Sequence, residues 1–510
     1  FFQMLDPAMG GPLMGLALRD SSSCEHMFAN AEMPIIDCED VAACAKSILL
    51  SENPASEHGG CVYELTGPKQ ASLSKTFAQV LPVLRPSNDP ISITPCLVEQ
   101  QIVSAGMPPS ATKQISPFLN ALASYSTTTT DVERITGRPP KTIAQSIFQN
   151  PRPFLPRTFR RVVAKSKSAS FREAAQVVES SLDDEFHQLE NDEILFKVQV
   201  AGVNGGADTF SVTRASEDDT NFPLGNEGTG TVVACGTNVT THQPGDSTIF
   251  IGRGAYGEYV RVKERMCYAV GNTRSKATPA ELTALRISAL TALVALERTA
   301  PVQPGDVVLV SACCGGTGHF AAQIAKNAGA TVIGTVGSSA KASYAKALGV
   351  DRVVDLSKED LGDVLQKEYP QGINVAYEGV GGALLRDVCD NLADNGCVLI
   401  VGSISQYPHN EELESHDIDG VGDIMDVFRS GKTVELDRGR NLIGNVWGDI
   451  FGSSDMKQYK ERVYELNSNG KLRVLLDEEN KFDGIGSVCD AVDHMLIRKS
   501  VGKVYVQISD

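Results

Sequence analysis

The residues best suited to chemistry begin at Ala312-Cys313-Cys314-Gly315-Gly316-Thr317-Gly318, where glycine occupies three of four successive positions. Glycine there removes side chains that would hold a backbone away from a pyrophosphate. A helix starting at the same point offers unpaired N–H groups and the positive end of its dipole. The predicted cradle is therefore Ala312, Gly315, Gly316, Thr317 and Gly318, with a bare structural turn as the competing reading. Cys313-Cys314 puts two thiols beside it, either oxidisable or inert and buried. About 20 residues on, a site for NAD places an acid that holds the ribose 2′-hydroxyl. Ser338 and Lys341 stand there instead. A hydroxyl and an ammonium suit a 2′-phosphate, which selects NADPH over NADH unless Lys341 is only a solvated helix residue.

These groups need elements to position them. Val307 to Val310 is an apolar run of the kind a doubly buried parallel strand shows, and His319 to Lys326 switches to helical spacing. Strands then alternate with helices: Ala330 to Val336, a helix through Leu348, Arg352 to Val354, Ile373 to Tyr377, a helix near Leu384 to Leu392, and Cys397 to Val401. That order predicts an α/β fold with a doubly wound parallel sheet. Val380, Gly402 and Ser403 fall at strand ends, where backbone reaches a cofactor, and Tyr407 follows at the same edge. Upstream, glycine turns punctuate a β-rich block from Glu193 to Val262, containing Asn204, Asn226 and Tyr256. A helix holds Ala280 to Leu296, and strands from about Val474 to Ile508 should return to the β-rich block.

The first 150 residues read differently. Asp37 followed by Asp40 suggests a capped helix through Leu50, Cys61 to Leu65 a strand, and Leu73 to Leu84 an amphipathic helix. Ile143 to Phe148 follows Thr136-Gly137-Arg138-Pro139-Pro140. Three prolines in Pro151 to Pro156 mark a linker. The basic cluster Arg157 to Lys167 alternates with Phe159, Val162 and Val163, which favours a charged edge strand over a nucleic-acid site.

The 510 residues suggest roughly three domains at ~150 residues each. A net charge of -17 argues against non-specific nucleic-acid binding. No apolar run approaches the ~20 residues of a membrane helix, and no cysteine spacing suits a metal. Scattered cysteines and the lack of a visible signal peptide give the cytoplasm as the expected location.

Residues 157–510 resemble the medium-chain dehydrogenase/reductases, in particular the zinc-free quinone oxidoreductase and prostaglandin (enone) reductase branch. The resemblance rests on Gly305-Asp306 through Leu309, Gly315-Gly316, Gly318, Gln323 and Lys326, departing at Cys313-Cys314 where small residues are expected. It implies a Rossmann domain (291–473) binding NADPH and a GroES-like domain (157–290, completed by about 474–510). It also implies hydride transfer to an α,β-unsaturated carbonyl or a quinone. Zinc-dependent relatives place Cys and His ligands where Asn204 and Asn226 stand, and asparagine supplies neither a thiolate nor an imidazole. No metal is expected, so hydrogen bonds must meet the charge developing on the carbonyl oxygen. Ile404-Ser405-Gln406-Tyr407 resembles a segment whose tyrosine contacts the enolate oxygen, although Pro408 replaces its asparagine. The implied catalytic set is Tyr407, with Asn204 near the nicotinamide and Tyr256 lining the cleft. Trp447 falls in a segment that faces substrate in the family. The expected partners are a small enone, alkenal or quinone and, as is common in the family, a second copy in a homodimer; neither nucleic acid nor membrane is expected.

Residues 1–150 resemble the C-terminal half of NmrA-like proteins, atypical short-chain dehydrogenases. The match is carried by Pro34 to Asp40, Tyr63 to Pro68 and Thr136 to Pro140. That family opens with its own glycine-rich turn and none precedes here, so this part is expected to be a truncated α/β fragment joined by the linker 151–156. The resemblance also offers a non-enzymatic alternative, an NADPH-sensing scaffold that binds nucleotide without turnover.

Overall fold

The computed structural model describes residues 23–26, 30–85, 92–95, 100, 116–117, 120, 126–149, 151–168, 170–214, 221–272, 276–407, 421, 424–444 and 455–509. Pro408, Trp447 and most of the acidic stretch after His409 lie outside them. The chain divides into two units. One is Phe1–Phe159 with Ser181–Lys197 and Thr231–Gly245; the other is Arg160–Ser180, Val198–Gly230 and Asp246–Asp510.

In the first unit, β1 (Ser23–His26) pairs in parallel with β2 (Ser92–Pro95). Helix α1 (Cys38–Leu49) starts where predicted, because Asp37 Oδ1 accepts the Glu39 N–H at 2.7 Å. Asp40, fully buried, accepts from Arg138 Nη1 and from the Lys141 N–H, each at 2.7 Å. The Gly67 N–H donates to the Pro34 carbonyl at 3.1 Å. Three sequence motifs thus meet around one carboxylate and one backbone bond. Helix α2 (Leu73–Leu84) buries Leu73, Phe77, Val80, Leu81 and Leu84, the stripe its spacing predicts. Helix α3 (Ile143–Gln149) buries Ile143 and Ile147.

Two expectations need correction here. Cys61 to Leu65 is extended but forms no ladder. Its polar groups go to side chains instead: the Glu64 N–H donates to Asp131 Oδ2 at 2.8 Å, and the Thr129 hydroxyl donates to the Glu64 carbonyl. Val62 is left 92 % exposed. The proline-rich 151–156 segment is no free tether, since Phe154 and Leu155 are buried and Phe154 lies 5.6 Å from the Phe77 ring.

The β-rich part contains β3 (Thr158–Ala164), β4 (Ala175–Ser181), β5 (Glu193–Gly202), helix α4 (Gly205–Arg214), β6 (Phe222–Pro223) and β7 (Glu227–Cys235). It continues with β8 (Ser247–Ile251), β9 (Tyr259–Lys263) and β10 (Cys267–Ala269). The main sheet runs β10-β8-β7-β5-β18, with β9 also on β5 and β18 spanning Tyr505–Gln507. The chain end therefore does return, antiparallel to β5, with Tyr505 opposite Gly202. Within the returning stretch only β18 is a strand, and a helix fills Val488–Leu496. Strand β3 forms where the basic cluster stands, but between β4 and β6 instead of at an edge. Its charge is met locally, by Arg160 donating through Nε and Nη2 to Glu258 Oε1 at 3.0 and 2.7 Å.

Helix α5 (Pro279–Thr299) has the length and hydropathy of a membrane span, yet 83 % of its apolar window is buried in the protein core. A seven-stranded sheet follows, built from β11 (Val307–Val310), β12 (Thr331–Val336), β13 (Arg352–Asp355), β14 (Ile373–Glu378), β15 (Leu392–Ile400), β16 (Thr433–Glu435) and β17 (Asn441–Gly444). Its order is β13-β12-β11-β14-β15-β17-β16, parallel except at β16. The order reverses between β11 and β14. This is the topological switch point at which open α/β sheets bind ligands. Helices α6 (Gly318–Asn327), α7 (Ala342–Ala347), α8 (Leu361–Glu368) and α9 (Gly382–Asp390) connect the strands, and α10 (Ile424–Ser430) precedes β16. The fold is a GroES-like domain followed by a doubly wound Rossmann-like domain.

Candidate active site

At the switch point lies a cleft of about 450 Å³. Its cofactor wall contains every residue of the predicted cradle: Ala312, Gly315, Gly316, Thr317 and Gly318. Ala312 sits at φ 45, and the Gly315 N–H closes the turn on the Ala312 carbonyl at 2.7 Å. A Cβ on Gly318 would stand 2.4 Å from that carbonyl, so only glycine lets α6 begin here. The Gly315 carbonyl takes the His319 N–H and the Thr317 carbonyl those of Phe320 and Ala321, so what α6 turns toward a pyrophosphate is the positive end of its dipole.

His319, invisible to motif reading, holds this turn to the returning chain. Its Nδ1 donates to the Gly315 carbonyl at 2.8 Å, and its Nε2 accepts the Leu475 N–H at 3.2 Å. Burial lowers its pKa to about 4, which keeps the ring neutral. Cys313 and Cys314 are both buried, though Cys314 also contributes to the wall. Their mutual hydrogen bond raises the Cys313 thiol and lowers that of Cys314.

Gly337 and Lys341 also line the cleft, whereas Ser338 stands beside the loop without joining its wall. The Lys341 ammonium donates to the carbonyls of Arg498 and Ser500 at 2.8 and 2.9 Å. Arg498 lines the same corner. This second cationic residue comes from a segment some 160 residues downstream that the strand-end rule does not reach. Val380 and Gly402 line the cleft as expected. Ser403 does not: it is fully buried, and its hydroxyl donates to Gln406 Oε1 at 2.9 Å. Behind Val380, Glu378 Oε1 accepts the N–H groups of Val380 and Gly381, while its Oε2 has no partner. Burial pushes this carboxyl up to about 7.

The opposite wall carries Tyr407, the first turn of α4 (Gly205, Gly206, Ala207), Ile287, Phe428 and Met495. Tyr407 is 4 % exposed. Its hydroxyl is so close to Gly206 and Gly402 that a Cβ on either would be 2.9 Å away. Phe210 meets its ring edge-on at 5.6 Å. Burial pushes the phenol up to about 12, so it stays protonated and able to donate.

Asn204 lines the cleft, but its amide faces inward. Nδ2 donates to Glu227 Oε1 at 2.8 Å, and Oδ1 accepts from Lys503 Nζ at 2.7 Å. Both ends of the amide are held by protein partners, which gives Asn204 a place in a side-chain network where contact with cofactor or substrate was expected. Tyr256 is likewise corrected: it is completely buried behind the wall, and its hydroxyl donates to Asp208 Oδ2 at 2.6 Å. The other carboxylate oxygen of Asp208 accepts from Asn226 Nδ2 at 2.8 Å. Burial nevertheless raises Asp208 to about 6. Glu227 and Lys503 were not legible as site residues; their only signals are a charge beside a glycine in otherwise apolar strand sequence, at Asn226-Glu227-Gly228 and Gly502-Lys503-Val504.

Comparison with known proteins agrees with this architecture. Residues 190–272 match the family described as "Alcohol dehydrogenase GroES-like domain", and residues 316–435 match "Zinc-binding dehydrogenase". The chain is 32 % identical to "Probable quinone oxidoreductase" of Leishmania amazonensis, over 69 % of this chain and 99 % of that protein. It is 31 % identical to "Prostaglandin reductase-3" of Bos taurus, over 69 % of this chain and 90 % of that protein. A crystal structure of Escherichia coli quinone oxidoreductase complexed with NADPH superposes with a TM-score of 0.57 at 21 % identity, covering 68 % of this chain and 99 % of that one. The chain belongs to the medium-chain dehydrogenase/reductase family, in its quinone oxidoreductase and prostaglandin reductase-like branch, over its C-terminal part.

Proposed function

We propose that the protein is an NADPH-dependent oxidoreductase that reduces the activated double bond of an enone or alkenal, or a quinone, without zinc. The observation that carries this reading is one cleft holding both a complete dinucleotide cradle and a protonated buried phenol. Bound NADPH would supply a hydride to the acceptor carbon. The chain's own contribution is to hold the acceptor carbonyl where the Tyr407 hydroxyl can donate to its oxygen as negative charge develops. Gly205 and Gly206 open α4 against the Tyr407 side chain, so the positive end of that helix supports the same charge. Ile287, Phe428 and Met495 keep this side apolar, which strengthens those hydrogen bonds by excluding water. Lys341 and Arg498 support NADPH over NADH.

The residues do not fit zinc. Asn204 offers one amide oxygen, already taken by an ammonium, and Asn226 is spent on Asp208. We read 157–290, completed by 474–510, as the catalytic domain and 291–473 as the cofactor domain. We further read residues 1–150 as an NmrA-like fragment, supported by the meeting of its three motifs at Asp40 and Gly67. A homodimer and a cytoplasmic location remain part of the proposal.

The test is NADPH consumption, followed by nicotinamide absorbance, against a panel of alkenals, enones and quinones. Turnover that depends on Tyr407 is expected. Tight NADPH binding with no consumption across the panel would replace the reductase by a cofactor sensor.

A further inference from the structure

Lys503 is 2 % exposed, and all three of its ammonium protons have acceptors. Nζ lies 2.7 Å from Asn204 Oδ1, 2.7 Å from Glu227 Oε1 and 3.1 Å from Ser288 Oγ. Glu227 Oε1 also accepts from Asn204 Nδ2, and its Oε2 accepts the Ile287 N–H at 2.8 Å. The ammonium therefore closes a ring in which the Asn204 amide has a single orientation: oxygen toward the cation, nitrogen toward the carboxylate. Asn204 is the residue from which α4 departs. Its carbonyl accepts the Asp208 N–H at 2.9 Å, and its own N–H donates to Asp208 Oδ2 at 2.8 Å.

The backbone around Lys503 is tied just as tightly to both walls of the cleft. The Gly502 N–H donates to the Cys314 carbonyl in the cofactor turn at 2.7 Å, and the Val504 carbonyl accepts the Val203 N–H at 3.0 Å. Gly502 sits at φ +81, and a Cβ there would meet the Leu475 carbonyl at 2.2 Å. Three successive residues thus register the cofactor turn against the start of α4.

We infer that Lys503 is a positioning residue for the reaction: through Asn204 and Glu227 it fixes the first turn of α4 against Tyr407. A buried lysine whose only purpose is stability would be an odd choice, because an apolar residue of similar volume usually serves as well. Here the ion pair is retained because its partners determine where Gly205 and Gly206 stand. Gly206 in turn abuts the Tyr407 hydroxyl, so a shift of the α4 turn changes the space available to the acceptor oxygen. The inference rests on the reductase reading of the cleft.

Removing only one charge leaves the other buried and risks unfolding, so the main test uses a neutral pair, and the single variant Lys503→Ala is read only by chemical rescue. In Lys503→Met/Glu227→Gln, kcat is expected to fall by roughly 100-fold, as for loss of one preorganised donor. NADPH affinity should be unchanged, since the cradle is intact. In Lys503→Ala, added propylammonium should restore rate, whereas propanol of the same length should not. Wild-type kcat in the neutral pair, or equal rescue by propanol, overturns the inference and leaves Lys503 a packing residue. Wild-type turnover on the acceptor panel tests the reductase reading separately. A crystal structure of the neutral pair gives a readout that needs no turnover: a displaced α4 first turn is expected, and an unmoved one overturns the inference.

Discussion

The two walls of the cleft are built by opposite strategies. The centre of the cofactor wall is local: one stretch from Val307 to Asn327 supplies strand, glycine turn and helix. The acceptor wall is dispersed: Asn204, Glu227, Ser288 and Lys503 come from four separate segments and meet through side chains, and Tyr407 comes from a fifth. A backbone cradle tolerates no added atoms but little else constrains its composition. A side-chain network tolerates change only if every donor and acceptor keeps a partner. Binding and chemistry should therefore fail separately when each wall is altered.

Gly318→Ala strikes the cofactor wall at its tightest point, 2.4 Å from the Ala312 carbonyl. Overpacking of ~1–3 kcal/mol implies NADPH affinity weaker by up to roughly 100-fold, with the rate at saturation retained. A fluorescence titration beside steady-state kinetics measures both, and a loss of kcat alone would break the comparison. Tyr407→Phe should do the reverse, lowering kcat by about 10–100-fold through one lost hydrogen bond to developing charge. NADPH binding should not change. Lys341→Ala sharpens the comparison within the cofactor wall. It should weaken NADPH by about tenfold, a partly solvated charge-assisted bond, and spare NADH. Equal loss with both cofactors would remove Lys341 from selection.

The smallest effect concerns pH. Glu378 is held up to about 7 by burial, above the ordinary carboxyl value, so folding takes up a proton between the two values. Its contribution to stability is full below the unfolded pKa and is lost as pH rises through about 7. Glu378→Gln should flatten that decline, read as a few degrees in the difference between Tm at acid and neutral pH. His319 has the opposite sign. Its pKa is lowered to about 4, so its neutral form favours the fold above the ordinary histidine value and this is lost as pH falls toward 4. Identical pH profiles for Glu378→Gln and the wild type would show that the carboxyl behind the cofactor wall is not titrating there.

The difference between the walls also explains what could be read in advance. The parallel strands, the cradle and Tyr407 at a strand end were legible because periodicity and glycine spacing are local properties of the chain. Asn204 and Tyr256 were correctly placed near the site but misjudged in role. A sequence gives a residue's neighbours in the chain, whereas an amide's orientation depends on what it bonds across the fold. The strand expected at Cys61 to Leu65 failed for a related reason: alternation is necessary for a strand, but a ladder also needs a partner edge, and side chains from Thr129 and Asp131 took its place.

By itself, then, the sequence determined the doubly wound sheet and the glycine turn at its switch point. Only the tertiary structure decided that an ammonium from the chain's last strand region fills the centre of the acceptor wall. It also decided that the Arg498 carbonyl takes the Lys341 ammonium and that one oxygen of Glu378, Oε2, has no partner behind the cofactor wall. Each of those facts depends on burial and on bonds between residues far apart in the chain, such as Lys503 to Asn204 at a separation of 299 positions. Local spacing carries no information about such contacts, because they form only once the strands have brought their ends together.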